Sequence, residues 1–219
     1  MACDPSFKGM TQALPSNLPL FPLGGAILLP GETLPLNVFE PRYLNMVDDA
    51  LRGDRLIGII QTQDGGSPEK PRLAGIGGAG RISSHSETPD GRYMIVLDGV
   101  SRFHLLGEED HSTPYRVGRV DFEPFADDCG IPDAMLGADR DLLLSRARAW
   151  FAHESIEADW TQIESVSTAH LVDRLAMAAP FSAPEKQSLL ESRNGRDRLR
   201  AMTDILKKRI AAAEGGNVN

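Results

Sequence analysis

Three stretches of the chain hold residue types whose spacing could do chemistry. Gly75-Ile-Gly77-Gly-Ala-Gly80 matches G-x-G-x-x-G, which holds a dinucleotide where a strand turns into a helix whose N-terminus faces the pyrophosphate. Here Arg81-Ile-Ser-Ser continues in extended character toward a turn, so the stretch reads as a bent strand and no nucleotide cofactor is expected. His153-Glu154 begins like a zinc-peptidase motif, which needs a second imidazole four residues on along one helix face. That position is Glu157, so one ligand is missing and no metal is expected. The histidines at 85, 104, 111, 153 and 170 include none in a nucleophile-elbow context, and no Ser/His/Asp or Cys/His order stands out. The sequence therefore predicts a protein that is not an enzyme.

The remaining cluster is Glu40, Pro41, Arg42 and Tyr43, with Arg102 and Phe103 later. A carboxylate at a helix start is favoured by the helix dipole. Glu40 is expected to sit there and to pair with Arg102, tying helix to strands. Glu40, Pro41, Tyr43, Arg102 and Phe103 are accordingly expected to serve the structure. Contact with a partner is expected from the polar helix face, Arg42, Asn45 and Asp49, and from Leu29 and Glu32 in the adjoining loop, all chosen on predicted exposure.

The elements that must position these residues follow from pattern. Pro41 opens a helix with an apolar stripe at Tyr43, Leu44, Val47, Ala50 and Leu51, and Gly53 closes it. Prolines 19, 22, 30 and 35 place the short apolar runs before it at strand ends, edges or bends. Strands are predicted at 56–60, 73–84, 93–97, 100–106 and 115–122. Pro89-Asp90-Gly91 reads as a turn, Asp98-Gly99 as a second tight turn, and Gly118 as a bulge. Several short strands with one early helix predict a small closed or half-closed barrel. After Phe125 the period becomes helical, with stripes at 143/147/150/151, 172/175/176/179 and 199/202/205/206/210. Ser182 and Glu185 form a capping box that opens another helix. The fold class is thus α+β: a tail over 1–16, a barrel over 17–126, a helical bundle over 127–213 and a frayed end over 214–219.

Bulk properties limit the function. The 219 residues can bury a substantial core, and 41% apolar with 25% charged residues is ordinary for a soluble protein. A formal charge of −8 disfavours nucleic acid, which needs a basic face. Cys3 and Cys129 give neither a disulfide framework nor a zinc spacing. The run Leu18–Leu29 is broken by Pro and Gly, so neither a signal peptide nor a membrane span is expected, and the cytoplasm is the expected location.

Two segments carry a family resemblance: Leu18-Pro-Leu-Phe-Pro-Leu23 with Pro30-Gly31 and Phe39-Glu-Pro-Arg-Tyr-Leu44, then Asp90-Gly-Arg-Tyr93 with Gly99-Val-Ser-Arg-Phe103 and Pro114-Tyr115. With Leu175-Ala176, Pro180-Phe181, Glu185-Lys186-Gln187, Leu189-Leu190-Glu191 and Arg198-Leu199, the chain resembles the substrate-binding N-terminal domain of Lon proteases over about 17 to 212. The resemblance implies a pseudo-barrel related to PUA domains followed by a helical bundle, and binding of unfolded or exposed polypeptide segments. No G-x-x-x-x-G-K-[ST] occurs, and the Ser–Lys peptidase region has no counterpart, so neither ATPase nor peptidase is expected. Alternative roles are an adaptor docking on a protease or other partner, and a PUA-like small-ligand or RNA binder.

Overall fold

The computed structural model describes residues 14–67, 69–126 and 137–216. The expected tail up to residue 13, the expected linker over 127–136 and the last three residues lie outside them. The chain order is β1 (Asn17–Pro22), β2 (Thr33–Val38), α1 (Pro41–Arg52), β3 (Leu56–Ile60), β4 (Thr62–Gly66), β5 (Pro71–Leu73), β6 (Ile76–Glu87), β7 (Tyr93–Glu109) and β8 (Arg116–Asp121). After a 3-10 turn at Glu123–Phe125 come α2 (Gly137–His153), α3 (Trp160–Ser165), α4 (Thr168–Ala178), α5 (Ala183–Leu190) and α6 (Gly195–Gly216). The α+β order read from the sequence is the observed one.

Six strands form one mixed sheet in the order β2-β7-β6-β3-β1-β8, and a further β7–β8 pairing closes five of them into a barrel. Among the described strands of this sheet only β1 and β3 run parallel. Strand β2 is left outside the ring, on the N-terminal half of β7, and Pro35 is tolerated there because an edge strand needs fewer ladder donors. One apolar cluster fills the barrel between Leu18, Leu20, Ile60, Phe103 and Val120. A second lies under α1, where Tyr43, Met46, Val47 and Ala50 pack on Ile57, Ile59, Ile95 and Leu97. The third is the bundle core around Leu143, Trp150, Val172, Leu199 and Met202.

One turn and one bulge are corrected. Asp98-Gly99 is not a turn, because β7 runs straight through it and pairs with β2, β6 and β8 in succession. The glycine is needed for close approach instead: a Cβ at Gly99 would lie 2.0 Å from the Leu29 carbonyl oxygen. A Cβ at Gly78, inside the G-x-G-x-x-G stretch, would likewise lie 2.0 Å from the Leu28 carbonyl oxygen. The segment between β1 and β2 thus crosses directly over the backbones of β6 and β7. As read from the sequence, the stretch is an irregular strand, with its register shift between Ala79 and Gly80. The bulge expected at Gly118 lies on the opposite strand, where the β7–β8 register shifts between Leu105 and Gly107; β8 keeps an unbroken register against β1.

The crossing segment also explains how barrel and bundle meet. Leu28 points into the cluster under α1, while Ile27 and Leu29 join the bundle core. In the bundle the Ser182 capping box forms as expected. Its Glu185 carboxylate also accepts from Arg209 Nε at 3.1 Å and Nη2 at 2.5 Å, joining α5 to α6. The guanidinium first, and the Ser182 donors with it, hold the Glu185 carboxyl down at about 2.

Two outcomes follow. Gly78→Ala is expected to lose about 1–3 kcal/mol in urea denaturation. Gly75→Ala, with nothing within 4 Å of its added Cβ, should stay within about 0.5 kcal/mol; equal losses would refute the crossing. A carboxyl held below its unfolded value stabilises the fold above about pH 4.3, and that support fades as pH falls toward 2. Glu185→Gln should therefore flatten the acid-unfolding profile between pH 4.3 and 2 followed by circular dichroism. An unchanged slope would exclude the Arg209 contact.

Candidate functional site

Helix α1 starts with Pro at its first position and Glu40 as N-cap, which makes no side-chain cap bond. Its inner face is anchored by Tyr43, whose ring lies 4.3 Å from that of Phe21 and beneath the Arg42 guanidinium at 4.5 Å. Burial pushes the Tyr43 hydroxyl up from its ordinary value. Two more tyrosines tie the polar face down: Tyr93 Oη donates to Asp48 at 3.1 Å and Tyr115 Oη to Asp49 at 2.9 Å. Burial and then the Asp49 carboxylate push Tyr115 up to about 12. Arg52 also donates to Asp49, at 2.9 Å. Asn45 is exposed.

Beside this helix the β2–β7 ladder presents an apolar strip outward. Met94 pairs with Asn37 and is 42% exposed, while its neighbours Tyr93 and Ile95 face the core. Phe39 follows the last residue of the ladder, two residues beyond Asn37, and is 64% exposed. Exposed Pro35 and half-buried Val96 continue the strip two residues back. Two short ion pairs flank it, Arg42–Glu40 at 2.8 Å and Arg92–Asp90 at 2.5 Å. Sequence reasoning missed Phe39 and Met94. The alternation of 93–97 already put residue 94 opposite its apolar neighbours, and Phe39 was hidden among the residues of a helix entry.

Of the residues expected at this surface, Arg42, Asn45 and Asp49 share the exposed side of α1, but Leu29 and Glu32 do not join them. Leu29 is fully buried and Glu32 is 5% exposed. The Glu32 carboxylate meets His170 Nδ1 at 2.6 Å and Arg174 Nε at 3.2 Å, both on α4. A buried carboxylate needs such partners, and here they come from 138 and 142 residues away.

The expected Glu40–Arg102 pair is also replaced. Glu40 bonds to Arg42 on the surface, and Arg102, 1% exposed, reaches into the bundle. Its Nη1 donates to the carbonyls of Leu190 at 2.8 Å and Ser192 at 2.5 Å, and its Nη2 to Arg193 at 3.3 Å. These carbonyls lie at and just beyond the C-terminal end of α5, where backbone acceptors lack helical donors and the dipole favours a cation. The guanidinium also stacks over Phe125 at 4.5 Å. Gln61, 2% exposed, makes a second clasp by accepting from Gly25 N and donating to Ala183 O and Gln187 Oε1. Phe103 is fully buried in the barrel.

The other motifs fall elsewhere. Helix α2 ends at His153, and Glu157 stands in the non-helical segment beyond it. Among the described residues no three His, Cys, Asp or Glu side chains are grouped so as to hold a metal ion. No helix there is long and apolar enough to cross a membrane.

A family model for the substrate-binding domain of the ATP-dependent protease La (LON) matches residues 17–208. The chain belongs to the Lon substrate-binding domain family. It is 26% identical over 203 residues to the Lon protease of Anaeromyxobacter dehalogenans and 28% identical over 201 residues to Lon protease 2 of Myxococcus xanthus. In both cases 90% of this chain aligns with 24% of the relative, so it spans about a quarter of their length. A crystal structure of a Lon N-terminal domain protein from Xanthomonas campestris superimposes with a TM-score of 0.59 at 27% identity, covering 86% of this chain and 97% of that one. The N-terminal domain of a Mycobacterium avium complex Lon protease gives 0.62 at 18% identity, over 87% and 98%, a likeness of fold. The matched part of Lon is the substrate-binding domain, not the catalytic one.

Removing the Arg102 guanidinium takes the donor from the buried Leu190 carbonyl and from the part-buried carbonyls of Ser192 and Arg193. Arg102→Met is expected to cost about 3 kcal/mol or more in chemical denaturation. Glu40→Ala, which breaks a pair whose side chains are 44% and 41% exposed, should cost no more than about 1 kcal/mol. The reverse order would restore the pairing expected from the sequence.

Proposed function

We propose that this protein is a non-catalytic binding module for unfolded or exposed apolar segments of other polypeptides. Family membership supports the reading in general, and the exposed Phe39 beside Met94 supports this surface in particular. Aromatic side chains gather binding energy when a partner covers them, and polar neighbours exclude water around them. Phe39 and Met94 act as anchors, with Pro35 and Val96 extending the strip. Arg42 and Asn45 meet the backbone or polar side chains of the bound segment, and Asp49, whose two oxygens accept from Tyr115 and Arg52, contributes through its remaining acceptor capacity. Leu29 and Glu32 act from beneath, by fixing the crossing segment against the bundle. Met is adaptable in shape, which suits segments of varied sequence.

Fluorescence anisotropy with a labelled, permanently unfolded apolar polypeptide tests this. The native chain is expected to bind it, and Phe39→Ser with Met94→Ser should weaken binding about tenfold or more, equivalent to about 1.4 kcal/mol. Both side chains are exposed, so the fold is expected to survive by circular dichroism. Undiminished binding by the double variant would remove this surface from the proposal. Absence of binding by the native chain would favour an adaptor for one folded partner.

A further inference from the structure

The bundle carries a second exposed surface of different character. Along α6 and the residue pair before it, Arg193, Arg200, Lys207 and Lys208 are exposed, in a chain whose formal charge is −8. Two carboxylates interrupt them. Asp197 lies 2.9 Å from Arg193 Nε and 4.0 Å from Arg200 Nη1, so one carboxylate faces two guanidinium groups. Asp204 is exposed. Among the described residues Lys207 and Lys208 have no carboxylate within ion-pair distance. The opposite face, through Leu199, Met202, Ile205 and Leu206, is spent on the bundle core, so the cationic face is directed outward.

We infer that this face of α6 docks an acidic, extended segment of a polypeptide partner. From the helix start to Lys208 the face runs about 20 Å at 1.5 Å per residue, which an extended segment of about six residues spans. Charge complementarity selects carboxylate side chains. The interleaved Asp197 and Asp204 repel any polyanion, but a peptide offsets that through backbone N–H groups that can donate to carboxylates, which a phosphodiester backbone lacks. Four cations are also few for a nucleic acid, whose binding rests on many phosphate contacts. This surface belongs to the bundle and is separate from the apolar strip on the barrel.

The test uses the full chain and a labelled twelve-residue peptide alternating Glu with Gly and Ser, followed by anisotropy at low and high salt. Binding is expected to weaken with salt and to fall about tenfold when Gln replaces every Glu in the peptide. Arg200→Gln, Lys207→Gln and Lys208→Gln together should produce a similar fall, while Phe39→Ser with Met94→Ser should leave this binding unchanged. That last arm separates the inference from the proposed function. No binding, or equal binding by the triple variant, would overturn it. So would tighter binding of a twelve-nucleotide single strand lost in the same variant.

Discussion

Everything in this structure depends on one contact of main chain with main chain. The carbonyl oxygens of Leu28 and Leu29 sit 2.0 Å from where Cβ atoms of residues 78 and 99 would be, so the segment between β1 and β2 lies flat on the barrel wall. Two backbone bonds hold it there, Gly31 N–H to the Gly99 carbonyl at 2.9 Å and Gly99 N–H to the Glu32 carbonyl at 2.8 Å. Because the segment is pressed down, its side chains divide between two cores: Leu28 goes under α1, and Ile27 and Leu29 go into the bundle. Apolar burial then joins what the topology would otherwise leave as neighbours.

Polar clasps add direction to that adhesion. Arg102 receives the end of α5, Gln61 receives its start, and Glu32 receives the His170 ring and the Arg174 guanidinium from α4. Buried hydrogen-bonding groups that must all be satisfied together admit few alternative dockings. A neighbouring carboxylate, Asp173, shows the cost of the same seam: burial raises its pKa although Arg198 stands 2.7 Å away. The seam leaves α1 and the β2–β7 strip exposed on the barrel and the outer face of α6 exposed on the bundle.

What the sequence showed clearly was local. The helix from Pro41 to Gly53, the Ser182 capping box and the three bundle stripes are set by neighbours within a few residues, and all three are observed. What it hid was long-range. Asp98-Gly99 has the composition of a turn, but the glycine answers to Leu29, seventy residues earlier. Gly118 has the look of a bulge, yet the extra residue sits on the facing strand. Glu32 has the look of a solvated loop residue, and its partners lie on a helix far along the chain. At the candidate surface, Arg42 and Asn45 were legible from the helical period. The outward place of Met94 was open to the alternation of 93–97, but bringing it next to Phe39 needed the register between β2 and β7, which no single strand specifies.

The separation between Arg102 and its acceptors, 88 to 91 residues, has a consequence for how the protein is made. During vectorial synthesis the barrel strands leave the ribosome first, while the carbonyls that will receive the guanidinium are still unmade. Ile27 and Leu29, already threaded across the nascent barrel, meanwhile present apolar side chains with nothing to cover them. The interval before the last helices emerge is therefore the time when this chain most resembles the exposed apolar segments it is proposed to hold. It is the stage at which a second nascent copy, or a chaperone, competes with the chain's own bundle.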